Sequence, residues 1–113
     1  MYKEISSIQP DDKRIPKWES QIAERGFDDT EWWSLYDTIA RFTLPRLKVF
    51  RTSTMSFPLS ITSDEWDGIL DKMILAFEII VDDDKWPASS NEDSEIVEEG
   101  IELFGKWFLH LWS

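Results

Sequence analysis

The spacing of apolar residues in the second half of the chain restricts its fold more than any other feature. Trp66, Leu70, Met73, Phe77 and Ile80 follow one another at steps of four, three, four and three residues. This spacing places all of them along one side of an α-helix, and it does not match the strict alternation of a half-buried strand. The segment from about residue 62 to about residue 82 is therefore predicted to be an amphipathic helix.

The remaining segments also have helical patterns. Thr62 and Glu65 have the spacing of a capping box at the start of the helix just described. A second long helix is predicted over residues 29–51 and a third over about 92–112, because apolar residues recur there at three- and four-residue steps. A short helix is predicted between Pro16 and Gly26, which suit the first turn and the end of a helix.

A proline and two glycines are expected to shape these helices. Pro45 lies inside the pattern of the second long helix. Because proline lacks a backbone N–H and its ring clashes with the carbonyl four residues earlier, we expect a kink or a break near residues 43–44. Gly100 and Gly105 lie in the last helix, where each glycine costs about 1 kcal/mol relative to alanine. We interpret them as positions where a neighbouring helix approaches closely.

Together these elements predict an all-α protein, a small helical bundle of three long amphipathic helices plus a short N-terminal helix. A length of 113 residues indicates one domain, which can bury a core without metal ions or disulfides. Residues 1–15 contain a proline and a charged run but no sustained period, so they are predicted to form an N-terminal arm. Residues 16–113 are predicted to form a single helical domain.

The net charge of −11 is confined to the second half of the chain. Residues 1–61 carry nine acids and nine bases, whereas residues 62–113 carry fourteen acids and three bases. This charge disfavours direct binding to DNA, to RNA and to anionic membrane surfaces. No apolar run is long enough to span a membrane, and the N-terminus lacks the pattern of a secretory signal. A cytoplasmic location is therefore predicted.

Two charged surfaces are candidates for binding. The first, the basic cluster, contains four bases and no acid within residues 41–51; its members are Arg41, Arg46, Lys48 and Arg51. Bases at the C-terminal end of a helix suit the helix dipole, but such a cluster can also hold an anionic nucleotide or a phosphate.

The second surface, the acidic face, is the outer side of the last helix. It consists of four glutamates at helical spacing, namely Glu95, Glu98, Glu99 and Glu102. Such a face is commonly just solvated. Regularly spaced carboxylates can also imitate the phosphates of a nucleic acid and compete for a basic groove on a nuclease or a DNA-binding protein.

Three consecutive aspartates follow the helix that ends near residue 82. Asp82, Asp83 and Asp84 lie where the helix dipole disfavours negative charge. The segment lacks the glycine and the glutamate of an EF-hand loop, so a solvated loop is favoured over a weak cation site. The triplet and the basic cluster can attract each other, within one bundle or between two copies.

The chain has seven tryptophans, and several of them lie on apolar stripes that are expected in the core. Trp32 and Trp33 are adjacent and cannot share one helix face, so one of them is expected to be exposed, together with Trp86 or Trp112. Exposed tryptophan beside arginine is typical of protein interfaces. A contact with another protein or with a second copy is therefore a candidate role, and Trp86 is a candidate partner-binding residue.

Residues that support catalysis are scarce. His110 is the only histidine, it lies beside apolar residues, and there is no cysteine. The chain contains no GxSxG, HExxH or Glu-x-x-His motif and no glycine-rich phosphate loop. We therefore expect neither an enzyme nor a protein with a metal ion or a cofactor.

Four blocks of the sequence carry a resemblance; they are WSLYDTIARF at 33–42, LPRLK at 44–48, WDGILDKMILAFE at 66–78 and EGIELFGKWF at 99–108. Together these blocks resemble a family of small uncharacterised proteins encoded by tailed bacteriophages. The resemblance covers about residues 32–112, in the same order. It implies a setting, the cytoplasm of an infected bacterium or virion assembly, and a non-enzymatic accessory role. It supplies no established activity and no site residues.

The sequence thus predicts a small acidic accessory protein of phage type that acts by binding another protein and can inhibit a host or defence factor. The first alternative is a homo-oligomeric component of the virion or of its assembly. The second is a sponge for an anionic nucleotide or phosphate ligand at the basic cluster.

Overall fold

The computed structural model describes residues 8–88 and 90–112, and every regular element in that part of the chain is helical. The elements are α1 (Ile15–Arg25), α2 (Thr30–Trp33), α3 (Leu35–Ser53), α4 (Ser63–Ile80), α5 (Asn91–Trp107) and a final 3₁₀ turn (Phe108–His110). The prediction of an all-α protein is confirmed for these residues. Residues 1–7 of the predicted arm lie outside the described residues.

Contacts within the chain define two compact units, Met1–Thr38 and Ile39–Ser113. The boundary between them falls in the first turns of α3. The predicted division into an arm of residues 1–15 and a single domain of residues 16–113 stays a prediction.

In the first unit, α1 ends as the sequence predicts. Gly26 has a φ of 88°, which glycine adopts without steric cost, and its N–H donates to the carbonyl of Ile22 at 2.9 Å. Trp18 of α1 is fully buried, and its ring meets that of Trp33 edge-on at 5.7 Å between centroids. The guanidinium of Arg14 lies 4.9 Å from the Trp18 ring. An aromatic pair thus anchors this short helix.

The turn between α1 and α2 is organised by the carboxylate of Asp29. It accepts hydrogen bonds from Gln21 Nε2 at 3.0 Å, Trp32 Nε1 at 3.0 Å and Arg25 Nη2 at 2.9 Å. These donors, Gln21 first, lower the pKa of Asp29 from 3.8 to about 2 because they stabilise the ionised form. The charged carboxylate is therefore part of the folded structure of this turn.

The predicted second helix is interrupted, but at Ser34 and not at Pro45. Ser34 has φ −124° and ψ 73°, outside the helical region, and its carbonyl accepts the N–H groups of Asp37 and Thr38 that begin α3. Helix α3 then continues through Pro45, so the break expected near residues 43–44 does not occur. Pro45 lies on the exposed side of α3, where water reaches the backbone and a helix tolerates the missing donor. The alternative, a kink, stays a prediction.

Helix α4 forms the centre of the second unit. Its start is the predicted capping box: Thr62 Oγ1 accepts the N–H of Glu65 at 3.1 Å, and Glu65 Oε1 accepts the N–H of Thr62 at 3.0 Å. The apolar stripe that predicted this helix is buried along its whole length. Residues from α3 and α5 complete the core around it, among them Ala40, Leu47 and Val97.

Helices α4 and α5 run antiparallel and approach each other closely at Gly100. A Cβ atom on Gly100 would lie 2.2 Å from the Cβ of Ala76 and 2.8 Å from the carbonyl oxygen of Lys72. The predicted close approach is thus confirmed at Gly100. It is wrong for Gly105, where a Cβ atom would meet nothing within 4 Å. Towards the end of α5, Trp107 packs edge-on against Trp66, with 5.9 Å between the ring centroids.

Candidate functional site

The basic cluster does not converge on one site, because three of its four members face carboxylates of α4 and the loop after it. Arg51 donates from Nε to Asp71 Oδ1 at 2.8 Å, and its Nη1 lies 3.5 Å from Asp67 Oδ1. The hydrogen bond to Asp71 raises the pKa of Arg51 above its ordinary value. Lys48 lies one turn before Arg51 on α3, and its Nζ is 3.2 Å from Glu78 Oε2.

Arg41, nearer the start of α3, contacts the C-terminal end of α4 and the loop that follows it. Its Nη2 donates to the carbonyl of Val81 at 3.1 Å and lies 3.6 Å from Asp83 Oδ1. A positive charge at the C-terminal end of a helix satisfies exposed carbonyls and complements the dipole. The predicted attraction between the acidic triplet and the basic cluster is therefore present within one chain. It compensates for the acids at the unfavourable helix end.

Arg46 is the one member of the basic cluster that has no carboxylate within ion-pair distance in the described part of the chain. Its guanidinium lies 3.7 Å from the ring centroid of Phe42, and its Nη1 donates to the carbonyl of Phe42 at 2.8 Å. Arg46 borders an open apolar cleft of about 270 Å³, whose other walls include Phe50, Phe104 and Phe108.

The acidic face keeps most of its charge uncompensated. Glu95, Glu98, Glu99 and Glu102 are all exposed on α5. Glu99 pairs with Lys72 of α4. The other three form no ion pair with any base in residues 8–88 and 90–112. Their steps of three and four residues bring neighbouring side chains to within about 5–6 Å on one side of the helix.

The structure thereby separates two groups of acids that are equivalent in the sequence. Asp67, Asp71 and Glu78 of α4 are held by bases of α3, and sequence reasoning missed them as partners of the basic cluster. Their spacing on α4, along one flank of the apolar stripe of the same helix, was the available signal. After this pairing, α5 carries more acids without an ion pair than α4 does within the described residues.

The candidate tryptophans have different positions. Trp86 is half-buried and packs against the core, so it is not an exposed residue of the acidic loop. Trp32 and Trp33 are both exposed, although only one of the two was expected to be. Trp112 is 69% exposed. Among the candidate positions, Trp112 therefore offers more accessible indole surface than Trp86.

Trp112 belongs to an apolar surface at one end of the second unit. Phe57 and Leu59 from the loop between α3 and α4 are exposed there, as is Leu109 of the 3₁₀ turn. Together they line a shallow opening of about 500 Å³. Exposed large apolar side chains of this kind are common at protein interfaces.

The described residues contain no group of three or more histidine, aspartate and glutamate side chains placed to hold a metal ion. None of the helices in the same residues has the length and the apolar character needed to cross a membrane. Comparisons with models of protein families, with curated proteins and with solved structures find no match.

Proposed function

We propose that this chain is a small acidic accessory protein that acts by binding another protein through the acidic face of α5. One observation carries the proposal: Glu95, Glu98 and Glu102 are exposed and uncompensated, whereas Asp67, Asp71 and Glu78 of α4 are paired with bases of α3. The protein thus has an ordered helix that presents carboxylates at regular intervals. The complementary partner is a protein with a basic surface.

The physical advantage of such a face lies in the encounter with its partner. Uncompensated charges of one sign steer an oppositely charged protein and raise its association rate, and this effect weakens as salt rises. A row of carboxylates can occupy a groove built for phosphates. A nuclease or another DNA-binding protein, from a host or from a defence system, is therefore the partner class that we propose.

The resemblance to proteins of tailed bacteriophages supports the proposed setting, the cytoplasm of a bacterial host. The proposed role is non-enzymatic, without direct binding to DNA, RNA or membranes. Its scaffold is the predicted bundle of three long helices and a short N-terminal one, with a kink at Pro45 of α3.

An anionic nucleotide or phosphate is a weaker candidate ligand. Arg41, Lys48 and Arg51 already have carboxylate neighbours, so a bound anion would have to displace internal ion pairs. Only Arg46 is available without such displacement. A single arginine beside an apolar cleft does not make a phosphate site.

The test is a capture experiment with two variants of equal net charge. One variant replaces Glu95, Glu98 and Glu102 with glutamine. The control replaces Asp11 with asparagine and Glu19 and Glu24 with glutamine; these three acids are also exposed and without ion pairs in the described residues. Immobilised wild type, variant and control are each exposed to lysate of a bacterial host, and the captured proteins are identified by mass spectrometry.

We expect a basic protein that wild type and control retain and that the α5 variant loses. Retention should fall when the salt concentration rises from about 0.05 to about 0.5 M, where screening shortens the range of the field severalfold. Equal retention of the basic protein by the α5 variant would contradict the proposal. Equal loss of that protein by the control and the α5 variant would show a general effect of net charge, which would contradict it as well.

A further inference from the structure

Helix α3 has a second apolar side that the described residues of its own chain leave exposed. One side, with Ala40 and Leu47, is buried in the core. The other carries Ile39, Phe42 and Val49, which are 47%, 60% and 64% exposed. Together with the exposed Arg46 these residues form a line with steps of three, four and three residues, which we call the α3 stripe. Such spacing is typical of a helix that packs against another helix.

The residues of the α3 stripe are arranged symmetrically about Leu44. Ile39 and Val49 lie five residues to either side of Leu44, and Phe42 and Arg46 lie two residues to either side. An antiparallel copy of the same helix, related by a two-fold axis at Leu44, would therefore place like-sized partners opposite each other. A two-fold contact requires this kind of self-complementary surface.

We propose that two copies of the chain associate through their α3 stripes, with the two helices antiparallel. Ile39 packs on Val49 of the second copy, and Phe42 packs on Arg46 of the second copy. Each of these contacts occurs twice. The occupant of the exposed side of α3 is thus a second copy of the protein.

The chemistry of Arg46 and Phe42 favours this pairing. Arg46 has no carboxylate partner in the described residues and already lies over the ring of Phe42 at 3.7 Å. An aromatic ring has two faces, and each attracts a cation. Phe42 is 60% exposed, so its ring can also contact the guanidinium of the second copy.

The distribution of charge selects α3 as the surface where two copies can meet. A protein with a net charge of −11 repels its own copies at most surfaces. No acid occurs in the sequence between Asp37 and Asp64, so the exposed side of α3 beyond its first turn carries no carboxylate. The uncompensated Arg46 lies close to the proposed axis, in the combined negative field of both copies. Like-charge repulsion between two copies is therefore low along this helix.

The dimer does not depend on the proposed function, because no residue of the acidic face belongs to the α3 stripe. Loss of partner capture by the α5 variant leaves the dimer intact. Loss of the dimer leaves the charge of α5 unchanged.

Disulfide cross-linking tests the geometry, since the natural chain has no cysteine. In the double variant Ile39→Cys, Val49→Cys, the thiol at position 39 of each copy lies opposite the thiol at position 49 of the other copy. In the proposed dimer, Cα atoms of the same position in the two copies are separated by about 15 Å, far beyond the roughly 4.4–6.8 Å that a disulfide spans. Both positions are exposed, so these variants should fold, which circular dichroism verifies.

We expect the oxidised double variant to run as a covalent dimer on a non-reducing gel, and each single-cysteine variant to remain mostly monomeric. Efficient cross-linking of a single variant with itself would indicate a parallel arrangement and overturn the proposal. Light scattering on the cysteine-free protein at about 100 µM should give the mass of a dimer, a concentration well above weak micromolar dissociation constants. A strict monomer there would also overturn it.

A charge variant supplies the second measurement. Val49→Glu adds an acid to the α3 stripe and should convert the dimer to a monomer in light scattering. Its matched control, Leu59→Glu, adds the same charge at a fully exposed position outside the stripe and should leave the dimer intact. Dimers of equal stability in both variants would contradict the assigned surface.

Discussion

The backbone of Gly100 lies so close to Ala76 that a methyl group on Gly100 would stand 2.2 Å from the Cβ of Ala76. The second obstacle, the carbonyl oxygen of Lys72 at 2.8 Å, belongs to the α4 backbone and cannot turn aside. Gly100→Ala should therefore push α5 away from α4. Overpacking of this kind costs about 1–3 kcal/mol, and the gain in helix propensity recovers about 1 kcal/mol at most. Urea unfolding should show a net loss of stability.

Gly105→Ala is the matched control in the same helix. A methyl group there meets nothing within 4 Å, so only the propensity term acts. The free energy of unfolding should rise by up to about 1 kcal/mol. Equal changes in the free energy of unfolding for Gly100→Ala and Gly105→Ala would show that the close contact at Gly100 does not hold the two helices together.

Arg41→Ala should destabilise the protein more than Arg46→Ala. Arg41 donates to the carbonyl at the end of α4 and neutralises part of the acidic triplet. Within the described residues of one chain, the hydrogen bond and the cation–π contact of Arg46 are both with Phe42 of its own helix. Hydrogen bonds from charged groups contribute about 1.5–3 kcal/mol, and exposed ion pairs less than about 1 kcal/mol. We expect a loss of about 1–2 kcal/mol for Arg41→Ala, measured by chemical denaturation.

Asp83→Asn separates the ion pair of Arg41 with Asp83 from its hydrogen bond to Val81. It removes the charge on an exposed aspartate but leaves the bond to Val81, so it should cost less than Arg41→Ala. A larger loss for Asp83→Asn would mean that the ion pair, and not the helix end, is the important contact.

The carboxyl group of Asp29 should titrate near pH 2 in the folded protein, a change that NMR can follow directly. Its pKa is lowered, so this group adds stability above its unfolded pKa of about 3.8, and the added stability is lost as the pH falls through about 2. Gln21→Ala should raise the pKa of Asp29 more than Lys17→Ala does, because Gln21 donates at 3.0 Å whereas Lys17 Nζ lies 3.8 Å away. The reverse order would contradict the hydrogen-bond explanation.

Thr62→Ala removes the side chain that accepts the N–H of Glu65, one of the free N–H groups in the first turn of α4. Loss of an N-cap typically costs about 1 kcal/mol, and here it also breaks the reciprocal arrangement with Glu65. Thr62→Ser keeps the hydroxyl oxygen and should retain most of the stability. Thermal unfolding of the two variants gives the comparison.

Helix α4 was predictable because several local signals agree there. Its apolar stripe has one period throughout, and the capping box precedes it directly. The same holds for α1, where Gly26 ends the helix by a backbone conformation that glycine favours. Helix ends of this kind depend on residues that are close in the sequence, so they can be predicted from the sequence alone.

The interruption at Ser34 was not predictable in the same way. The residues around it are apolar enough to continue a helix, and the turn depends on the backbone of Ser34 itself. Likewise, Pro45 was expected to break α3, but its exposed position makes the loss of a donor tolerable. The outcome at Pro45 depends on which side of α3 faces solvent, which a periodicity pattern does not contain.

The candidate site was predictable only as two lists of charged residues. That the acidic face remains uncompensated follows from which acids lie opposite α3, a tertiary relationship. The half-buried position of Trp86 has the same origin, because the loop returns its indole to the core. The sequence alone treats every acid of the second half alike.

The ion pairs between α3 and α4 also have a consequence for the order in which the second unit opens. Salt weakens contacts between exposed charges, such as those of Lys48 and Arg51, but hardly affects close apolar packing such as that at Gly100. In concentrated salt, amide hydrogens of α3 should therefore exchange with solvent before those of the α4–α5 hairpin. The second unit would then consist of a stable pair of helices, α4 and α5, and a third helix, α3, whose packing on that pair depends on ionic strength.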